Sequence, residues 1–226
     1  EALFDHVLHE WGRVDAVFAN AGYGLFSSVL DTSDEQLRDM FETNFFGTIR
    51  TVKAGVSAMK QCTGSLNHVL VCTSAASEIA PPMYGQYAAT KAAQDAAACA
   101  MRAEVHHEGI TVSTVHPIGT KSEFFDVVED ISPQRQGKLQ LNTPASLMHS
   151  SEKVARCVVK CLKRPVPEVW PSVPARFGLA FTVALPRVAA WAMRRMVKER
   201  YQPTAEASAD RREKEPEPAA ETVRAD

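Results

Sequence analysis

From Val69 to Lys91 the chain reads VLVCTSAASEIAPPMYGQYAATK, and this stretch narrows the fold more than any other. Val69, Leu70, Val71 and Cys72 have the length and β-branching of a buried strand. The strand ends in Thr73 and Ser74. Pro81 and Pro82 then mark a loop, and an alanine-rich helix carries Tyr87 and Lys91. Residues four apart on a helix share a face, so the phenol and the ammonium stand about one turn from each other. A buried strand feeding a helix is the unit of a parallel sheet. Open sheets of that kind bind ligands beyond the carboxyl ends of their strands, which is where Ser74 falls. The spacing therefore predicts a hydroxyl, a phenol and an ammonium aimed into one crevice.

The flanking segments repeat the pattern. Residues 2–10 place Leu3, Phe4, Val7 and Leu8 at helical spacing, Gly12 suits a helix C-terminus, and residues 15–19 read as a buried strand. Asn20-Ala21-Gly22 closes that strand with small residues that let a ligand approach the backbone. Gly22-Tyr23-Gly24 is not a dinucleotide fingerprint, because Ser27 stands where a third glycine is needed and no helix begins before about Ser33. Asp31-Thr32-Ser33-Asp34-Glu35 is a helix start, and one helix is expected to about Lys60. Asn44 interrupts its apolar face near Gly47. It is either a surface residue or the mark of a kink with a function.

After Lys91 the helix is expected to reach Gly109. Its alanine-rich face suits close helix–helix contact and is read as a surface for a homodimer or homotetramer. His106 and His107 read as solvated. Residues 110–115 form a strand that ends at His116-Pro117, and 118–125 a loop at the same sheet edge. His116 has no nucleophile at a recognisable spacing and is read as structural. Residues 130–149 are polar and irregular, as in a mobile loop over the site. Ser150 or Ser151 caps a helix bearing Val154, Cys157, Val158 and Leu162, and residues 168–170 make a short last strand. Residues 176–197 are apolar but broken by Pro186, so they either cover a pocket, pack in a dimer, or lie on a membrane surface. The reading is one partial catalytic domain over 1–201 and a disordered, charged tail over 202–226.

Composition excludes several classes. The 226 residues carry a formal charge of -2, so no basic field points to nucleic acid. Five cysteines form an odd set without metal spacing, which reads as reduced thiols in a cytoplasmic protein with no metal site.

Asn20-Ala21-Gly22, Asn44, Ser74, Tyr87-xxx-Lys91 and Pro117-Ile118-Gly119-Thr120, in this order, resemble the short-chain dehydrogenase/reductase family. The resemblance implies an α/β fold, a doubly wound parallel sheet, that binds NAD or NADP. It implies that Tyr87 is the general acid/base, that Lys91 lowers the phenol's pKa and holds the nicotinamide ribose, and that Ser74 orients the substrate oxygen. Asn44 would hold a water connected to Lys91. Asn20, Ala21 and Gly22 would line the cofactor, and Pro117 and Thr120 would meet its nicotinamide end. Tyr84 and Phe124, with Met83, Phe125 and Val127, suggest an apolar alcohol or carbonyl substrate. The chain departs from the family's pattern at Ile118, where glycine is usual. The family's glycine-rich loop and first strands have no counterpart before Asn20, so an N-terminally truncated chain is expected, with the 15–19 strand a bare edge. The alternative reading is a truncated, inactive, family-like interaction protein, and weak or no dinucleotide binding is expected of the 226-residue chain.

Overall fold

The computed structural model describes residues 2–62, 66–132 and 148–200. Four parallel strands form the central sheet: β1 (Ala16–Ala19), β2 (His68–Cys72), β3 (Thr111–Val115) and β6 (Glu168–Val169), side by side in that order. β1 stands at one edge, as expected. Val69 lies opposite Val17 on one side and opposite Val112 on the other. The strand side chains alternate between the two faces. Val17, Val69, Val71 and Val112 pack with Val52, Met59 and Ala98 on one face. Leu70, Val115 and Val169 pack with Val158 and Cys161 on the other. Helices α1 (Ala2–Trp11), α3 (Gly47–Met59) and α4 (Gly85–Glu104) cover the first face and α6 (Ser151–Lys163) the second, which makes the sheet doubly wound.

The segment expected as one helix from Ser33 is three pieces. Helix α2 (Asp34–Phe41) starts at a capping box, in which Ser33 accepts from the Gln36 amide and Gln36 accepts from the Ser33 amide. A π-turn then runs over Glu42–Phe46, and α3 follows. The extra residue of the π-turn turns Asn44 inward, and its side chain is fully buried. Gly47 has ordinary helical angles, so the bend belongs to Asn44 and not to the glycine. Gly55 serves contact instead: a Cβ there would come within 2.4 Å of the Val17 side chain.

Other boundaries also differ. Helix α4 ends at Glu104, and a 3₁₀ turn over His106–Glu108 leads to Gly109 in the left-handed region (φ 73°). His106 and His107 are exposed. The expected 118–125 loop holds a short strand, β4 (Thr120–Lys121), and the start of α5 (Phe124–Ile131). β4 pairs with β5 (His149–Ser150), and the His149 amide donates to the Gly119 carbonyl at 2.8 Å. The irregular stretch thus loses Asp130 and Ile131 to a helix and His149 to a strand. Its centre, 133–147, lies outside the described residues, as does the 202–226 tail. Residues expected as a broken apolar segment fold as α7 (Val173–Ala184) and α8 (Pro186–Arg200), two helices separated by Leu185. Proline at the first position of α8 fits, since that N–H has no helical partner.

Candidate active site

The carboxyl ends of β1, β2 and β3 open into a cleft of about 880 Å³. β2 places Ser74 at its rim. The Ser74 side chain accepts from the Ala76 amide at 3.1 Å and so starts the 3₁₀ turn Ala75–Ser77. Helix α4 packs against that turn and presents Tyr87 and Lys91 to the same cleft. Lys91 is 3% exposed. Its ammonium donates to the Cys72 carbonyl at 2.9 Å and lies 5.7 Å from the centre of the Tyr87 ring. The strand end that delivers Ser74 therefore also fixes Lys91.

Burial dominates the titration of both groups. It pushes the Tyr87 phenol above its ordinary range, and the Ser74 hydrogen bond pulls the other way by a smaller amount. Burial holds the Lys91 ammonium below its usual value. The lowering of the phenol expected from Lys91 is thus not what the protein's own groups produce: desolvation of the phenolate outweighs the Ser74 hydrogen bond, and Cys72 and Tyr84 also raise it.

Asn44 sits behind the cleft. Its amide nitrogen donates to the Tyr23 carbonyl at 2.8 Å and to Thr90 Oγ1 at 2.9 Å, and its Oδ1 accepts from the Tyr23 amide at 2.9 Å. Its main-chain carbonyl accepts from Thr48 and Gln94, both at 2.7 Å. These bonds clamp the segment after β1 against α4. Gly22 runs between the two helices at the closest point: a Cβ there would stand 2.9 Å from Asn44 Oδ1 and 3.2 Å from Lys91 Nζ. Gly24 is needed for another reason, since its Cβ would meet Phe124 at 2.7 Å.

Most of the residues singled out in the sequence come together. Asn20, Gly22, Ser74, Tyr87 and Lys91 line the cleft, and so do Pro117 and Thr120 from the segment after β3. Thr120 Oγ1 is buried without a hydrogen-bond partner. Tyr84, Phe124 and Phe125 form its aromatic wall, where Tyr87 lies 6.2 Å from Tyr84 and 5.4 Å from Phe124 between ring centres. Ala21, Asn44, Met83 and Val127 do not line it.

Several contributors were not evident from motifs. The Cys72 carbonyl and Thr90 act through the backbone and hydrogen bonds, which leave no motif. Val158, Leu179 and Met193 reach the cleft from helices late in the chain. His116 is the structural residue it was read to be. It stacks on Trp170 at 4.4 Å, contacts Thr73 and Thr114, and lies 3.4 Å from Asp95. Thr73 already donates to the Val115 carbonyl, so it can only accept from His116, which puts the proton on Nδ1.

Known proteins are similar to this chain in sequence and fold. The family model described as short chain dehydrogenase matches residues 1–131. A Xenopus tropicalis protein, dehydrogenase/reductase SDR family member 7B, is 31% identical over 160 residues, 70% of this chain and 50% of its own. The chain spans about half the length of the curated relatives it matches. A short chain dehydrogenase/reductase from Burkholderia phymatum, solved in complex with NAD, has a similar fold (TM-score 0.70, 18% identity, 83% of this chain and 72% of that one). An alcohol dehydrogenase from Thermococcus sibiricus, complexed with 5-hydroxy-NADP, superposes with a TM-score of 0.60 at 29% identity, covering 75% of this chain and 67% of that one.

Proposed function

We propose that this chain, which belongs to the short-chain dehydrogenase family, works as an NAD(P)-dependent oxidoreductase that interconverts an apolar alcohol and its carbonyl compound. One observation carries the reading: Ser74, Tyr87 and Lys91 converge on a single cleft with an aromatic wall. The residues present fit the nicotinamide end of a dinucleotide. Gly22 leaves a cradle that a side chain would fill, and the buried Thr120 hydroxyl is unpartnered. Asn20, Gly22, Pro117 and Thr120 would hold that end, with Lys91 on the ribose through the donors it does not spend on Cys72. When bound, the cofactor supplies or accepts the hydride.

The protein's own groups move the proton. Tyr87 protonates the carbonyl oxygen during reduction and takes the proton back during oxidation. Ser74 donates to the same oxygen and sets its direction. Asn44 positions the Asn20–Gly22 segment through Tyr23, and its remaining Oδ1 lone pair is the place for a water beside Lys91. Tyr87→Phe is expected to lower turnover of a ketone panel by about 10²–10⁴-fold and to leave NADH and NADPH binding unchanged. Undiminished turnover overturns the assignment.

A second reading, an inactive interaction protein, is favoured by the glycines. Among the described residues none builds a phosphate loop, and Gly24 is spent on Phe124. Fluorescence titration of NADH and NADPH on the 226-residue chain separates the two. Saturable binding supports the enzyme, and a folded chain that neither binds nor turns over supports the interaction protein. The exposed Ala89, Ala96 and Ala100 on α4 are the proposed surface for self-association.

A further inference from the structure

We infer that α7 and α8 form a hairpin that docks flat on an anionic lipid surface, with the cleft behind it. The hairpin has two sides. Leu179, 9% exposed, and Met193 face inward and line the cleft. Val173, Phe177 and Phe181, four apart, share one face of α7, and Val188 and Trp191, three apart, share one face of α8, with Leu185 between the helices, so the outer side of the hairpin carries an apolar stripe from each helix. All six are exposed: Phe177 at 69%, Phe181 at 64% and Trp191 at 61%. Side chains of this size stay in water as a row only at a cost, so the stripe marks a docking face.

Charge selects the occupant. Residues 173–200 hold six arginines and lysines against one acid, Glu199, in a chain whose overall charge is -2. Arg176 is paired with Glu168 at 3.1 Å, and Arg187 and Arg194 add two further cations on α8. The Arg195 guanidinium lies 5.8 Å from the Trp191 ring centre, an aromatic and a cation side by side at the foot of the stripe. An apolar stripe bordered by cations and a tryptophan matches the boundary between acyl chains and anionic headgroups. No described helix is long and apolar enough to cross a bilayer, so the hairpin lies in the interface plane. Because its inner side is a wall of the cleft, docking sets the cleft beside the lipid in which an apolar substrate dissolves. That last step rests on the oxidoreductase reading; the docking does not.

Co-sedimentation of the 226-residue chain with vesicles tests it. Partitioning onto equal parts phosphatidylcholine and phosphatidylglycerol is expected to exceed that onto pure phosphatidylcholine by about tenfold or more. It should fall in ~1 M salt, where the screening length is only ~3 Å. The double variant Phe177→Ser/Phe181→Ser should lose binding with its circular dichroism unchanged. Arg194→Glu/Arg195→Glu should lose the preference for anionic lipid. Absence of binding, or equal binding to both vesicles, overturns the inference. So does a concentration-dependent dimer that Phe177→Ser/Phe181→Ser dissolves, which would make the stripe a contact between two copies. Turnover of a water-soluble ketone is read in parallel. Its loss with docking intact counts against the enzyme reading alone.

Discussion

Asn44 ties together groups that lie 21 and 46 residues away from it in the chain. Its side chain is fully buried and its bonds to Tyr23 are partly buried, so Asn44→Ala strands the Tyr23 amide and carbonyl away from most of the solvent. Each buried group left unpaired costs about 1–3 kcal/mol, and urea unfolding should show a loss in that range. Gly22→Ala addresses the same junction by overpacking. Its Cβ would press on an amide already held by three bonds, so a lower melting temperature and weaker dinucleotide binding are expected together. Gly24→Ala should act differently, moving the Phe124 ring and changing substrate preference more than cofactor affinity. At this scale the sequence was legible where chemistry sits in the side chain, as at Tyr87 and Lys91. It was not legible where the partner is a backbone atom. No residue type announces that the Cys72 carbonyl will hold an ammonium.

Elements reveal themselves by their ends better than by their interiors. The hydroxyls and acids of Asp31–Glu35 mark a helix start by residue type alone, and Ser33 with Gln36 closes a capping box there. Ser33→Ala should cost about 1 kcal/mol, measured by thermal unfolding. The π-turn was not visible, because an inserted residue changes the hydrogen-bond ladder without changing the apolar period by much. Asn44 among apolar neighbours was its trace. Gly55→Ala tests the other reason for glycine in a helix. Alanine favours an isolated helix by about 1 kcal/mol, yet the 2.4 Å approach to Val17 should reverse the sign and destabilise the protein.

The whole molecule carries its buried imidazoles as a pH-dependent load. Burial holds both His68 and His116 below the ordinary histidine value, and for His116 it outweighs Asp95 and Glu168, which act in the other direction. The unfolded chain therefore takes up these protons first as pH falls below about 6.5. Stability is complete above that pH and declines below it, toward the depressed folded values. A melting temperature that falls between about pH 7 and 5.5 checks this; a flat profile over that window overturns it. The cleft is likewise a property of the whole. Its walls come from β2, α4, the segment after β3, α6 and the α7–α8 hairpin, which are distant in the chain and adjacent only because the sheet stacks them.

By itself the sequence determined the parallel strands, the helix that bears Tyr87 and Lys91, and the order of the site segments. Those follow from local apolar periods and from residue types whose chemistry is intrinsic. Tertiary structure alone decided that Asn44 turns inward and that Gly22 must be bare between it and Lys91. It also decided that burial raises the Tyr87 phenol despite the Ser74 hydrogen bond, and that one side of a late hairpin walls the cleft while the other faces out. Each of these depends on which atoms of distant segments meet and on how much water their meeting excludes.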